Sequence, residues 1–500
     1  MEEKLNQLKE ILAEVADIRS ALAVLDWDQQ TYMPAGSSAS RGQQISTLSR
    51  LAHVKFTSSE VGQLLEDLAP YARQLDPDSD EARLIKVTRR RYEKRTKVPA
   101  SFVAELARRT SIAHNVWVEA RRENKFAKFQ PHLEAIVDLK RQYASFFSPY
   151  EHVYDPLLDD FEPGLKTAEV KVIFNSLRPP QVTLLREIMQ RPQVDSSFLH
   201  QAYDEKKQWD FGVQVITRFG YDWDHGRQDK TVHPFTTQFG IDDVRITTRV
   251  YPYYLPACLF GTFHECGHGL YDLGFNPAFA RSPLAGGASL GVHESQSRMY
   301  ENLVGRSLPF WKYYYPILQQ TFSSQLGDVD LLAFYKGINR VQPSLIRVEA
   351  DEVTYNLHIM LRLELEIALM ENTLEVKDLP EAWNTRMQEY VGVVPPTDAE
   401  GVLQDVHWSS GLVGYFSTYS LGNLISVQLW EAIRKDIPDL EAQFERGEFG
   451  ALLVWLREKV HRHGAKLEPQ ELVQRVTGSK IDPAPYIHYL RGKYAAIYGF

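Results

Sequence analysis

Cysteine is nearly absent from this chain. Cys258 and Cys266 are the only two in 500 residues, and they lie eight positions apart in one segment. A pair so close together could not brace a chain of this length, so a disulfide scaffold is excluded and a reducing, cytoplasmic compartment is expected. Long apolar runs are missing too: no stretch approaches 18 uncharged apolar residues, so no membrane span is expected. The opening segment "MEEKLNQLKEILAEVADI" is a charged amphipathic helix and not a basic stretch followed by a secretory core. Nor is there a surplus of positive charge. A formal net charge of −9 argues against a nucleic-acid partner, whose phosphates need clustered cations. The one basic run, "RRRYEKRTK" at Arg89–Lys97, is expected to form a solvated helix face. No internal repeat, low-complexity tract or clean linker divides the chain. Length alone suggests two or more domains, but without a linker the expectation is a single domain over residues 1–500, with two lobes as its variant.

What is present is ordinary for a globular protein: 44% hydrophobic, 24% charged and 12% aromatic residues. Helical periodicity dominates. Leu5, Leu8, Ile11, Leu12, Val15 and Ile18 recur at three- and four-residue steps and form one apolar stripe. Glu352–Asn372 runs about five turns without glycine or proline, a length that favours helix over strand. Pro469–Gly478 is expected as a short helix stopped by its glycine. The exception is Asp242–Tyr251, where Val244, Ile246, Thr248 and Val250 alternate with Asp243, Arg245, Thr247 and Arg249, the pattern of a strand with one polar face. Pro283–Gly291 and Val393–Trp408 are expected as connections. The fold class is therefore mainly α, a large helical body with a small β-sheet.

Chemistry concentrates in "TFHECGHGLYDLGF", Thr262–Phe275. On a helix, residues four apart lie about 40° apart around the axis and one turn along it. His264 and His268 can thus present two imidazoles to one tetrahedral ion, and Glu265 can reach a water on that ion without ligating it. Cys266 projects roughly 200° from His264 and is expected as a packed thiol. A catalytic ion of this kind takes three protein ligands. Glu294, 26 residues beyond His268, opens what looks like a second helix, which can return a carboxylate over the histidine pair. The plain alternative makes Glu294 and Glu301 exposed helix charges, but the polar cluster His293, Ser295, Gln296 and Ser297 around Glu294 weighs against it. His293 cannot share a helix face with Glu294, since neighbours diverge by about 100°. Glu294 is preferred as ligand, with His293 left as a substrate contact or a partner of the ligand imidazoles.

At this point the sequence resembles the carboxypeptidase Taq family of metal-dependent carboxypeptidases. Five separated signatures occur in family order: "DVRIT" (Asp243–Thr247), "HECGH" (His264–His268), "HESQ" (His293–Gln296), "IRVEAD" (Ile346–Asp351) and "GVLQDVHW" (Gly401–Trp408). The segment Leu25–Gln43 also looks like the family's opening. The resemblance implies Glu294 as third ligand, Glu265 as base or acid, a neurolysin-like helical body with a deep active-site cleft, and a homodimer. It implies one divalent ion per chain; zinc suits two histidines and a carboxylate, with cobalt or manganese as substitutes. "GYF" at 414–416 looks like the stretch that carries an oxyanion-stabilising tyrosine in distant relatives, which points to Tyr415, with His407 assisting or touching substrate. A free C-terminal carboxylate calls for an arginine fork. Arg347 is favoured for it and Arg245 held second, although Asp351, four residues on, also suggests a simple intrahelical pair for Arg347.

Three functions follow in order of weight. The first is a metallocarboxypeptidase of broad specificity, acting on peptides with a free C-terminus. The second is an oligopeptidase that cuts internally. The third is a helical binding protein whose histidine pair does no chemistry.

Overall fold

The computed structural model describes residues 1–500. Of these, 68% are helical, and the only sheet has three short strands. The first helix, Glu2–Thr31, buries Leu5, Leu8, Leu12 and Val15 of the expected stripe. With helices Ser59–Ala72 and Asp80–Lys97 it encloses a separate apolar cluster of 13 residues, which Phe279 and Leu284 join from the middle of the chain. The main core is far larger, at 98 residues. The N-terminal helices therefore form a layer of their own beside the main body.

At the centre of that body runs helix Tyr355–Met370, with 14 of its 16 residues buried. A helix apolar all round belongs inside a large core. It starts three residues later than the sequence suggests because Asp351 turns back as a cap, its Oδ1 accepting the backbone N–H groups of Val353 and Thr354. Helix Pro469–Thr477 ends at Gly478, whose φ of 87° only glycine takes readily.

The sheet comprises β1 (Gly226–Lys230), β2 (Thr236–Gly240) and β3 (Asp243–Thr248), in the order β1-β3-β2. β3 lies between a parallel and an antiparallel neighbour, which leaves β2 as an edge strand. Val244, Ile246 and Thr248 are buried as the alternation requires, but so is Thr247. Its hydroxyl donates to the Phe235 carbonyl and accepts the Phe235 N–H, so backbone covers that side as well.

The basic run is a solvated face only in part: Glu93, Arg95, Thr96 and Lys97 are exposed, while Arg90 and Lys94 are drawn into ion pairs. Helix Asp80–Lys97 turns it toward the main body, where Arg90 and Lys94 pair with Asp159 at 2.7 and 2.6 Å. The pattern of charge is visible in sequence; the acidic partner, some 65 residues on, is not.

Three helices fix the site. The first, Leu255–Asp272, carries "HECGH"; the second, Leu290–Arg298, carries "HESQ" and is capped by the Ser289 hydroxyl; the third is Ser417–Asp436. Glycines let them approach. A Cβ at Gly267 would stand 2.5 Å from the Gln296 carbonyl oxygen, and one at Gly422 would stand 2.6 Å from the Glu294 Cβ. The "HESQ" helix is thus gripped from both sides, with no room for a methyl group. Buried Glu162 also accepts the N–H of Gly291 at its start, and burial pushes the Glu162 carboxyl up to about 8.

Two outcomes follow. Gly422→Ala should move Glu294 away from the histidines, so metal content per chain, read by elemental analysis, should fall well below that of the parent protein. For Glu162, the raised folded-state pKa means stability is fully present below about pH 4.5 and is lost as pH rises toward 8. Glu162→Gln should flatten this slope, so that parent minus variant stability, read by denaturant unfolding, declines by roughly 3–5 kcal/mol from pH 4.5 to 9.

Candidate metal centre and its cleft

His264 Nε2 and His268 Nε2 lie 3.7 and 3.5 Å from Glu294 Oε2, and the three ligand atoms fall within 4.8 Å of one another. The other nitrogen of each ring is already engaged. His264 Nδ1 is 2.9 Å from Glu301 Oε2. His268 Nδ1 is 2.6 Å from His293 Nδ1, and His293 Nε2 is 3.0 Å from Asp272 Oδ1. This network assigns the tautomers. If each Nε2 keeps its lone pair for an ion, His264 Nδ1–H donates to Glu301, His268 Nδ1–H donates to His293, and His293 Nε2–H donates to Asp272. Every proton then has an acceptor, so two imidazole nitrogens and a carboxylate oxygen fit a divalent cation.

The carboxylate is prepared likewise. Arg298 donates from Nε to Glu294 Oε1 at 2.6 Å and from Nη1 to Glu301 at 3.1 Å, which leaves Glu294 Oε2 facing the rings. Burial opposes the ionised form of Glu294, but Arg298 and His264 outweigh it and hold the carboxyl well below its usual range. Glu301 is held at about 2 against burial by the same two groups. Burial lowers His268 to about 4, so its ring is neutral at physiological pH. A wide helical turn, Met299–Val304, follows the "HESQ" helix and carries Glu301.

Glu265 is buried beside this group, and burial raises its pKa. The Thr236 hydroxyl on edge strand β2 lies 2.7 Å from Glu265 Oε2 and orients it. β3 is tied to the same helix by the Thr248 and Thr262 hydroxyls, 2.9 Å apart. Cys266 points into the core, where burial raises its thiol well above the ordinary value.

Tyr415 follows Gly414, whose φ is 96° and whose N–H donates to Glu366 Oε2 at 2.9 Å. Its ring lies edge-on to Phe161 at 5.2 Å and to Tyr419 at 5.4 Å. Burial raises its pKa, and the nearby negative charge of Glu294 adds to the effect. His407 sits 5.3 Å from the Tyr415 ring, with Nε2 3.4 Å from the Tyr419 hydroxyl. Burial lowers His407 to about 4, so this ring is neutral as well.

Arg347 is buried in a single 3-10 turn, Arg347–Glu349, and not on an α-helix. The pairing with Asp351 that its spacing suggests does not form, because Asp351 is engaged as the helix cap. Arg347 instead donates from Nε and Nη2 to Asp405 Oδ1, at 3.1 and 2.9 Å, and from Nη1 to the Tyr355 hydroxyl at 3.0 Å. Arg362 holds the other Asp405 oxygen at 2.7 Å. Tyr355 joins the two regions, since its ring faces Arg298 at 4.5 Å. Arg245, on β3, donates from Nε and Nη2 to the two Asp243 oxygens at 2.9 Å, and its guanidinium is stacked against Trp27 and Phe239.

Sequence reasoning missed Asp272, Arg298, Tyr355 and Arg362, and saw Glu301 only as an exposed charge. Arg298 and Glu301 fall four and seven residues after Glu294, a helical spacing that could have placed them on its face. Nothing local marks Tyr355 or Arg362. His293 also lines a cavity of about 540 Å³ that reaches Phe161 and the N-terminal helices. No helix is long and apolar enough to cross a membrane.

Comparison with known proteins agrees with this geometry. Residues 7–494 match the carboxypeptidase Taq (M32) metallopeptidase family. The chain is 42% identical to thermostable carboxypeptidase 1 of Thermus thermophilus, covering 98% of each sequence. It is 38% identical to carboxypeptidase 1 of Bacillus subtilis, covering 98% of this chain and 97% of that one. The crystal structure of the M32 carboxypeptidase from Deinococcus radiodurans R1 superposes with a TM-score of 0.97 at 41% identity, over all of both chains. Internal cleavage and a non-catalytic role are not favoured. This chain belongs to the carboxypeptidase Taq (M32) family of metallopeptidases, hydrolases that act on peptide bonds as carboxypeptidases.

Proposed function

We propose that His264, His268 and Glu294 hold one zinc ion per chain, with cobalt or manganese able to replace it, and that the enzyme removes C-terminal residues from peptides with broad specificity. The observation that carries this reading is the convergence of three ligand atoms whose rings are already fixed through Nδ1. When bound, the ion would supply Lewis-acid polarisation of the scissile carbonyl and would acidify the attacking water.

Glu265 takes the proton of the attacking water and delivers it to the leaving amine. Its burial and raised pKa suit a group that must take up a proton and give it back. Tyr415 donates its hydroxyl to the carbonyl oxygen as negative charge develops there. His407, neutral and flanked by Tyr415 and Tyr419, orients the substrate or that tyrosine pair. His293 acts chiefly through His268 and offers its cavity face to substrate.

Arg347 is favoured over Arg245 as anchor for the terminal carboxylate. Asp405 and Tyr355 hold the Arg347 fork in place, yet N–H groups on Nη1 and Nη2 remain for a ligand. Arg245, on β3, pairs with Asp243 alone and stacks on Trp27 and Phe239, without the surplus of positive charge that Arg362 gives the Arg347 group. Residues 1–500 act as one catalytic unit, with the N-terminal layer as one wall of its cleft. The family resemblance supports a homodimer, tested by sedimentation velocity. Two free, buried cysteines agree with a cytoplasmic setting, tested by cell fractionation.

Glu265→Gln should retain its metal and lose roughly 10²- to 10⁴-fold in kcat on an unblocked peptide. Retention of full activity in a metal-loaded variant would overturn the assignment. Chelation should stop the release of C-terminal residues seen by mass spectrometry, and add-back of zinc should restore it. Amidating the peptide C-terminus should cut kcat/KM by about 100-fold in the parent enzyme and far less in Arg347→Met, a loss of the order expected for one charge-assisted fork.

A further inference from the structure

The cavity reaching from His293 to the N-terminal helices has a charge opposite to that of the protein. Seven lysines and arginines line it against three acids, although the chain as a whole carries −9. The acids are already engaged: Asp159 by Arg90 and Lys94, Asp160 by Lys94, and Glu468 by Lys86. Lys466 is held by Asp80, outside the lining. Three guanidinium groups, those of Arg19, Arg91 and Arg95, are left without a carboxylate.

These three repel one another. Burial lowers Arg91 to about 10, and the charges acting on it are Arg19, Arg95 and Arg90. Arg19 is lowered to about 10 by burial and then by Arg95. Both Arg19 and Arg95 lie against the Phe56 ring, at 5.5 and 5.9 Å, which keeps them together in spite of that repulsion. Like charges crowded in the wall of a cavity destabilise the free protein and focus a field that draws in an anion.

The place of this wall in the cleft defines the anion. The cavity opens at one end beside His293, whose Nδ1 is 2.6 Å from His268, and beside Phe161, whose ring packs on Tyr415. Neither Arg347 nor Asp405 lines it, so the terminal carboxylate and the departing residue belong elsewhere. A peptide cut at its C-terminal bond must extend its remaining chain away from the reacting carbonyl. We propose that Arg19, Arg91 and Arg95 form a subsite for acidic side chains of the substrate on the N-terminal side of the bond that is cut. This rests on the carboxypeptidase reading and deepens it.

The test uses full-length zinc-loaded enzyme and pairs of otherwise identical peptides carrying Glu or Gln at one upstream position at a time. At low ionic strength the Glu peptide should have the higher kcat/KM at one or more positions, by roughly 10-fold, and the ratio should shrink toward one in ~1 M salt. In Arg19→Gln/Arg95→Gln the ratio should also collapse, while Arg91→Lys, which keeps its charge, should preserve it. A Glu to Gln ratio of one in the parent enzyme, with both peptides cleaved, overturns the subsite and leaves the activity standing. A ratio that survives in the double variant overturns it as well. If the double variant instead abolishes discrimination between free and amidated C-termini, the wall binds the terminal carboxylate and the proposal fails. Competition by inorganic phosphate without any Glu preference would mark a small-anion site and also refute it. If neither peptide is cut, the carboxypeptidase reading itself falls, an outcome distinct from all the others. Parent-enzyme ratios with and without salt decide the matter even where a variant does not fold.

Discussion

A carboxylate buried between two imidazoles and a guanidinium governs the rest of this site. Ionised Glu294 inside the protein is unfavourable unless charge and hydrogen bonds surround it. Arg298 supplies both, and in occupying one oxygen it turns the other toward His264 and His268. The same arginine reaches Glu301, and Glu301 fixes the His264 ring, so one cation sets the direction of two acids and one base. The grip of Gly267 and Gly422 on the "HESQ" helix holds this network in register. Breaking any member leaves a buried charge without its partner.

A second network stands at the other end of the site and follows the same logic. Asp405 is shared by Arg347 and Arg362, whose charges outweigh burial and hold its carboxyl well below the usual range, so two cations and one anion leave a net positive charge. That surplus suits a carboxylate ligand. Tyr355 lies between the networks, bonded to Arg347 and facing Arg298, with Tyr419 and Tyr415 completing an aromatic wall. The proposed metal ligands and the proposed anchor are therefore parts of one packed unit, and their separation is a property of the core.

The charge of the cleft gives the N-terminal layer a use beyond packing. Its small apolar cluster is closed by Phe279 and Leu284, from the chain between the "HECGH" and "HESQ" helices. Arg19, Arg91 and Arg95 project from that layer into the cavity that ends at His293. A wall carried by separate helices can differ in substrate preference without disturbing the candidate metal centre.

The sequence by itself determined what local spacing can encode. Histidines four apart on a helix share a face, a glycine ends a helix, alternating residues make a strand, and five ordered signatures point to a family. Helical phase also held Arg298 and Glu301 near Glu294, although only the second was noticed. Tertiary structure alone decided the partners that come from far along the chain. Arg347 spurns Asp351, four residues away, for Asp405, 58 residues away, because its segment is a turn and Asp351 is spent as a cap. Arg90, Arg91, Lys94 and Arg95 of the basic run line a cavity, where composition suggested open solvent along the whole run, and Asp159 pairs with two of them. Local pattern fixes which way a side chain points along its own element; the charge it meets there depends on which other element the core brings against it.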